Sequence, residues 1–520
     1  MRVLFVTSEA FPLAKTGGLA DVSSALPLAM ARQGIDVRIL MPGYPDAIER
    51  LDSPRIAARF SGLGGIEDGF LISGRMPGTD VPVWLAAAPS LFERPGGLYQ
   101  DADGRDWPDN ARRFGFLAQV ATALACGNLV TWVPDIVHAN DWHAGLVPLF
   151  LAMRGGHRPA TVLTIHNLAF QGNFPPEAMG PLGIPGEYFH PGGIEFYGQM
   201  SFLKAGILFS DRVTTVSPNY AREVLTPEFG CGMEGVLRSR GTNFVGILNG
   251  IDTERWDPAT DRCLPGAYDR KDLSGKQVCK AGLQGELSLD GQADRPLIGF
   301  VSRLAHQKMA DVLLDSVDGM VGAGAQFALV GEGDPTLEIA FQRLADRHPG
   351  RVAVRTTYDE RLAHRLHGGA DILMVPARYE PCGLTQMYAL RYGALPVVRN
   401  TGGLADTVVG VSPSTLSART ATGFVFEDAT TVSLTGAVGQ ALDLYRRPDV
   451  WRSVQDQAMA QNFSWFESAA KYAKLYRELL GRCEPPLEEP RRPALAAAGS
   501  AGAAMVRRAA RAAVSGGDVA

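Results

Sequence analysis

The sequence predicts an α/β protein built from two doubly wound domains that face a central cleft. Three observations carry this expectation. The chain has 520 residues, more than one hydrophobic core ordinarily serves, so two or three domains are the default. Short, unbroken apolar runs rich in Val, Ile and Leu alternate with helix-like stretches, which is the pattern of parallel strands covered on both faces. The alternation falls into two successive series, each long enough for one Rossmann-like domain.

The first series comprises residues 3–7, 37–41, 136–139, 162–165, 213–216 and 245–248. The second comprises 297–301, 327–330, 352–354, 372–375, 396–398 and 424–426. The division falls near residues 249–258, and a polar stretch over 261–294 leads into the second series. Domains are therefore expected at 1–250 and 251–460. Within 461–483 an amphipathic helix is expected over 465–480, with Trp465, Phe466, Tyr472 and Tyr476 on its buried side. The tail, 484–520, is rich in Pro, Ala and Arg, and no packed core is expected for it.

Apolar residues make up 46% of the chain and charged residues 20%, the balance of a soluble globular protein. Fifty Lys and Arg stand against 55 Asp and Glu, a formal net charge of −5. That argues against nucleic acid as a partner, while a few local cations suffice for a small anionic substrate. The six cysteines show no CxxC spacing, so neither a disulfide framework nor a zinc site follows. The first apolar run starts at once, without the h-region of a signal peptide. No run approaches the ~20 residues that span a bilayer. A cytoplasmic protein without membrane contact is the expectation.

Polar residues recur where the apolar runs end. Ser8-Glu9, Asn140-Asp141, His166-Asn167, Ser217, Asn249, Ser302-Arg303, Gly331-Glu332-Gly333, Tyr358 and Glu380 all sit there. Open parallel sheets bind ligands beyond the carboxyl ends of their strands, so the repetition favours a cleft enzyme over a scaffold. Lys15-Thr16-Gly17-Gly18-Leu19 precedes a helix expected over 20–33. Paired glycines let backbone amides approach an anion at a helix start, although a plain turn with a solvated lysine fits the spacing equally well. Arg303 and Lys308 follow the 297–301 run. A solvated first turn is the alternative to a phosphate site, but cations at a helix start oppose its dipole, so helix stability does not explain them and the balance favours phosphate binding.

Glu380 lies in Arg378-Tyr379-Glu380-Pro381-Cys382-Gly383-Leu384-Thr385, between a strand and a helix. It serves either as a helix cap, a role Asp or Ser fills better, or as a ligand group beside backbone amides. Thr401-Gly402-Gly403-Leu404 repeats the paired-glycine design, with helix packing as its expected purpose. His166-Asn167 and Asp141 are weak signals individually, since a strand-end histidine is often a hydrogen-bonded core residue and Asp141 could cap the next helix. His138, Asp141 and His143 lack a metal-ligand spacing, and no metal is expected. No GxSxG or Walker-type loop is present.

Taken together these segments resemble the bacterial glycogen synthase and plant starch synthase family, retaining glucosyltransferases of the GT-B fold. The resemblance runs in order over residues 1–480. It rests on Lys15–Leu19 after Thr7-Ser8-Glu9, on Asn140-Asp141-Trp142-His143-Ala144, and on Thr164-Ile165-His166-Asn167-Leu168. It continues through Ser201-Phe202-Leu203-Lys204-Ala205-Gly206 and Ile247-Leu248-Asn249-Gly250-Ile251-Asp252. In the second half it includes residues 302–308, Tyr358-Asp359-Glu360, and residues 380–386 and 401–406.

The resemblance implies ADP-glucose as donor, with glycogen or a maltooligosaccharide as acceptor. It implies no metal and no pyridoxal phosphate. The implied catalytic set is Lys15, Asp141, His166, Arg303, Lys308 and Glu380. The implied substrate-binding set is Gly18, Asp21, Asn167, Asn249, Tyr358, Cys382, Gly383, Leu384 and Thr385. In this scheme Lys15, Gly18, Arg303, Lys308 and Thr385 hold the diphosphate. Glu380 and the backbone of Cys382, Gly383 and Leu384 orient the glucose. Tyr358 lies against the adenine, Asn249 fixes the donor near the hinge, and Asp141, His166 and Asn167 line the acceptor side. The helix over 465–480 is implied to cross back onto the first domain.

The chain departs from the family at Met309, where glycine usually follows Gln-Lys, and at Thr356-Thr357, where Ile-Gly is common. Bulk at either place is expected to alter donor affinity or nucleotide preference. Two other readings stay open: a related retaining enzyme with another donor or a small acceptor, and a weakly active glucan-binding protein.

Overall fold

The structure is a computed structural model that describes residues 1–357 and 359–481. Tyr358 and the tail 484–520 lie outside the described residues. The chain forms two compact units. The first comprises Met1–Val216, Ala221–Ile247 and the segment from Trp465. The second comprises Ser217–Tyr220 and Leu248–Ser464.

The first unit contains strands β1 (Arg2–Val6), β2 (Asp36–Pro42), β3 (Asp52–Phe60), β4 (Gly69–Arg75), β5 (Pro82–Ala87), β6 (Ile136–Asn140) and β7 (Ala160–Ile165). It also contains β8 (Asn173–Phe174), β9 (Glu195–Phe196), β10 (Gln199–Ser201), β11 (Arg212–Thr215) and β12 (Phe244–Gly246). Its main sheet has the order β12-β11-β7-β6-β1-β2-β5-β4-β3. From β12 to β5 neighbours are parallel. At the other edge β4 pairs antiparallel with both β5 and β3. Val3, Leu4, Phe5 and Val6 are fully buried, which places β1 at the centre, where an unbroken apolar run belongs.

All six apolar runs of the first series are strands. The sequence pattern misses β3, β4 and β5. β3, Asp-Ser-Pro-Arg-Ile-Ala-Ala-Arg-Phe, alternates exposed with half-buried positions; it is an edge strand carrying Arg55 and Arg59, charges that discourage further pairing.

The second unit contains β13 (Leu297–Val301), β14 (Gln326–Val330), β15 (Val352–Arg355), β16 (Ile372–Val375), β17 (Leu395–Arg399) and β18 (Phe424–Phe426). They form one parallel sheet in the order β15-β14-β13-β16-β17-β18, which is the doubly wound Rossmann order. Every run of the second series is one of these strands.

The helix Trp465–Leu479 belongs to the first unit and packs on the helix Gly18–Arg32. Trp465, Tyr472 and Tyr476 are buried, and the Tyr476 hydroxyl lies 2.7 Å from His138 Nδ1. Phe466, expected on the same side, is only half-buried. One helical step turns it ~100° from Trp465, off the stripe that residues seven and eleven positions later share with Trp465. Among the described residues no helix is long and apolar enough to cross a membrane.

Candidate active site

Each main sheet has one place where the winding direction reverses, and that is where such sheets bind ligands. In the first unit it lies between β1 and β6. The loop after β1 turns back into the helix Gly18–Arg32, and buried Glu9 holds its shape. The Glu9 carboxylate accepts from the Thr16 amide (2.6 Å), the Thr16 hydroxyl (2.9 Å), the Gly17 amide (3.2 Å) and the Tyr99 hydroxyl (2.7 Å). Lys15 is exposed and donates to both oxygens of Asp21, at 2.8 and 2.9 Å. A Cβ built on Gly17 or Gly18 meets no atom within 4 Å. The protein's own packing therefore does not require these glycines, and the space over them is open to a ligand.

The loop after β6 carries Asp141, whose φ of 55° is strained for a non-glycine residue. Its carboxylate does not cap the following turn. Instead it accepts from the backbone amides of His166, at 2.7 Å, and Asn167, and so joins the end of β6 to the end of β7. Burial raises the Asp141 carboxyl to about 7, against the pull of those two amides and with the help of the Glu9 charge.

The His166 tautomer follows from Asn140. Asn140 Nδ2 donates to the carbonyls of Val6 and His138, at 3.0 and 3.3 Å, so its Oδ1 accepts from His166 Nε2 at 3.0 Å. Burial pushes the His166 imidazole down to about 3. The ring is therefore neutral, with its proton on Nε2 and an acceptor lone pair on Nδ1. His138 is a core residue, buried and bonded to Thr164 and Tyr476.

In the second unit the reversal lies between β13 and β16. The loop after β13 carries Arg303 and Lys308, and the loop after β16 carries Glu380. Four bonds lace them together. Arg378 donates to Asp311 at 2.8 and 2.7 Å, its guanidinium donates to the His306 carbonyl at 2.6 Å, and its amide donates to the Gln307 carbonyl at 2.8 Å. Lys308 pairs with Glu380, whose side chain is 8% exposed against 20% for Lys308. Glu380 is thus an ion-pair partner and not a helix cap. Arg303 is exposed and has no hydrogen-bond or ion-pair partner among the described residues. Gly331 and Gly333 pack so tightly on this loop that a Cβ would stand 1.8 Å from the Ser302 carbonyl oxygen and 2.2 Å from that of Leu304.

Beyond Glu380, Gly383 needs its glycine. Its φ is +70°, and a Cβ there would lie 2.4 Å from Gln386 Oε1. Gln386 Nε2 donates to the carbonyls of Cys382 and Gly383, both at 3.0 Å, which fixes the loop leading through Leu384 to Thr385, the first residue of the helix Thr385–Arg391. Gly403 is a packing glycine, because a Cβ on it would stand 2.2 Å from the Cys382 carbonyl oxygen. The Cys382 thiol takes a hydrogen bond from the Asn249 amide and is pushed up to about 12 by burial; it is no nucleophile. Asn249 Oδ1 is buried without a partner, an acceptor left open beside this loop.

Met309 turns its added bulk inward. It adopts φ 50°, ψ 34°, the left-handed conformation that glycine would take without cost, yet its side chain is 0% exposed and lies in the second unit's core. Its bulk is spent on packing in that core, one residue beyond Lys308.

Within the first unit the structure thus groups Lys15 on the loop after β1 with Gly18 and Asp21 in the first turn of the helix that follows, and Asp141, His166 and Asn167 on the neighbouring loops. Within the second it joins Lys308 to Glu380 and sets Asn249 against Cys382. Sequence reading passed over Glu9 as a loop-shaping group, Tyr99 and Asn140. Glu9 and Asn140 were at least visible as polar strand ends; Tyr99 gave no local signal.

Residues 2–239 match the family described as starch synthase catalytic domain, and residues 295–443 match glycosyl transferases group 1. The chain is 50% identical to a glycogen synthase of Burkholderia thailandensis, over 97% of this chain and 96% of that one. It is also 50% identical to a glycogen synthase of Paramagnetospirillum magneticum, over 92% and 98%. Among solved structures it is similar to the catalytic domain of starch synthase IV from Arabidopsis thaliana bound to ADP and acarbose. There the TM-score is 0.83 and the identity 32%, over 92% of this chain and 99% of that one. A sucrose-phosphate synthase from Thermosynechococcus elongatus, 18% identical with a TM-score of 0.56, shares the fold. Two Rossmann-like units with these relatives are the GT-B architecture, and the chain belongs to the glycogen synthase and starch synthase family of glycosyltransferases.

Proposed function

We propose that the protein transfers glucose from ADP-glucose to the non-reducing 4-hydroxyl of an α-1,4-glucan, with retention of configuration. One observation carries the assignment of roles: at the point where the second sheet reverses, Arg303, which has no partner among the described residues, and a Lys308–Glu380 pair stand on adjoining loops. Arg303 and Lys308 bind the donor diphosphate, Arg through its planar fork and Lys as a compact charge. Their attraction grows as the glycosidic bond breaks and charge builds on the leaving phosphate, so it lowers the barrier. Glu380, oriented by Lys308, accepts from glucose hydroxyls, and Asn249 Oδ1 offers a further acceptor.

Retaining glycosidases use a carboxylate as nucleophile, but the Glu380 carboxylate is engaged by a lysine. Attack therefore comes from the face that the diphosphate leaves, and the departing phosphate oxygen takes the proton of the acceptor hydroxyl. Neutral His166 accepts a sugar hydroxyl at Nδ1. The family relationship, with the ADP and acarbose named for the Arabidopsis relative, supports the nucleotide and the glucan as substrates.

Incubating the protein with ADP-glucose, UDP-glucose and maltooligosaccharides tests the reading. The expected result is extension by α-1,4-linked glucose, fastest from ADP-glucose. Extension from another sugar nucleotide alone would overturn the donor, and failure to extend any oligosaccharide would overturn the acceptor.

A further inference from the structure

We propose that Asp261, Cys263 and His364 form a binding site for a thiophilic divalent cation of the zinc class, using none of the residues assigned to glucosyl transfer. A carboxylate oxygen of Asp261, Cys263 Sγ and a ring nitrogen of His364 all lie within 4.8 Å of one another. Ligand atoms around a tetrahedral zinc, with Zn–S of about 2.3 Å and Zn–N of about 2.0 Å, stand roughly 3.5 Å apart. Binding would draw the wider pairs in and open the 2.7 Å contact between His364 and Asp261.

The surroundings hold two of the ligands in place. His364 Nδ1 lies 2.7 Å from Asp261 Oδ2, and the Tyr392 hydroxyl donates to the same oxygen at 2.6 Å. Asp261 Oδ1 accepts from the Cys263 amide at 2.8 Å. The His364 ring stacks on Trp256, with centroids 3.7 Å apart and planes at 13°. Trp256 also stacks on Tyr388, at 3.8 Å and 15°. The bonds from the Tyr392 hydroxyl and the Cys263 amide are of the kind that ligating carboxylates usually carry, whereas the His364–Asp261 bond gives way to the cation.

Coordination beside Asp261 uses the His364 tautomer with a bare Nδ1, whose proton sits on Nε2, 3.9 Å from Glu360 Oε1. The side chains of Asp261 and His364 are 3% and 4% exposed, whereas Cys263 is only half-buried and gives an entry path.

A thiolate, an imidazole and a carboxylate suit zinc or cobalt. Calcium and magnesium demand oxygen ligands. Burial and the Asp261 carboxylate push the Cys263 thiol up, and the Arg361 charge offsets only part of that; coordination must therefore itself convert the thiol to thiolate and release its proton to solvent. A bound cation would tie residues 257–268 to the helices Glu360–Gly369 and Thr385–Arg391, because Tyr392 directly follows the latter.

The test uses the full chain, freed of metal with a chelator and titrated with Co²⁺ alone, then with Zn²⁺ alone. One equivalent of Co²⁺ is expected to produce tetrahedral d–d bands and a thiolate-to-cobalt charge-transfer band, and Zn²⁺ to abolish both and raise Tm. Cys263→Ser should lose the charge-transfer band while keeping normal glucosyl transfer, and Cys231→Ser should keep it. Tyr392→Phe, which removes only a hydrogen bond to Asp261, should weaken affinity ~10–100-fold. No binding at one equivalent, or a charge-transfer band that survives in Cys263→Ser, would overturn the proposal.

Discussion

Replacing Lys308 by methionine separates its two roles. The Glu380 side chain is 8% exposed and Lys308 is 20% exposed, so removing the lysine strands a nearly buried carboxylate. Breaking a buried pair from one side costs 3–5 kcal/mol, and the residual exposure of Lys308 puts this case at about 3 kcal/mol. In a unit of this size each kcal/mol lowers Tm by ~2–4 °C, so a fall of roughly 6–12 °C is expected for Lys308→Met. Turnover with ADP-glucose should fall ~10²–10³-fold, the usual loss when a group that stabilises transition-state charge is removed. The double variant Lys308→Met/Glu380→Gln no longer buries an unpaired charge and should recover most of the lost Tm, while turnover stays low. Thermal unfolding and glucosyl transfer to a maltooligosaccharide are measured on all three proteins. Recovery of activity along with stability in the double variant would show that Lys308 only braces Glu380, and would refute the reasoning.

Asp141 has a folded-state value of about 7 against about 3.9 unfolded. Between those values the unfolded state binds fewer protons, so stability contributed by this group falls as pH rises from 4 to 7 and levels off above. Asp141→Asn should remove that slope, reducing the stability lost between pH 5 and 8 by about 2.5 kcal/mol in denaturant unfolding. Gly18→Ala should leave Tm unchanged, since its Cβ meets nothing, yet raise KM for ADP-glucose. Gly403→Ala, which drives a Cβ to 2.2 Å from a carbonyl, should cost roughly 1–3 kcal/mol. Met309→Gly relieves about 1–2 kcal/mol of left-handed strain but empties a core position worth 2–5 kcal/mol. A net loss of roughly 0–4 kcal/mol is expected from those two terms, with the ratio of kcat/KM for ADP-glucose and UDP-glucose unchanged.

The central strands were legible because both faces are covered, so each reads as an unbroken apolar run flanked by polar residues. β3 was not, because an edge strand that alternates exposed and half-buried positions leaves no such run; β4 and β5 are buried and hold short apolar runs at 70–72 and 83–87 that lay outside the two series. The candidate site was legible as polar residues at strand ends, but their partners were not. Glu9 meets Tyr99, Asn140 orients His166, and Lys308 pairs with Glu380 only once the strands take their places in the sheets. Met309 shows the limit of reasoning from a missing glycine: residue type suggested bulk near the donor, whereas the direction of the side chain depends on the backbone conformation and points it into the core. No spacing rule could have joined Asp261 and Cys263 to His364, which a separate helix brings up to them.

The most direct measurement is the affinity of ADP for Arg303→Gln, by calorimetry, with maltoheptaose binding titrated in parallel. Arg303 is exposed and without a partner among the described residues, so the substitution should not disturb folding. Losing one charge-assisted hydrogen bond costs about 1.5–3 kcal/mol, which weakens ADP binding ~10–100-fold and should leave glucan binding as it is in the parent protein. Unchanged ADP affinity, or an equal loss for both ligands, would contradict the assignment of this loop to the donor diphosphate.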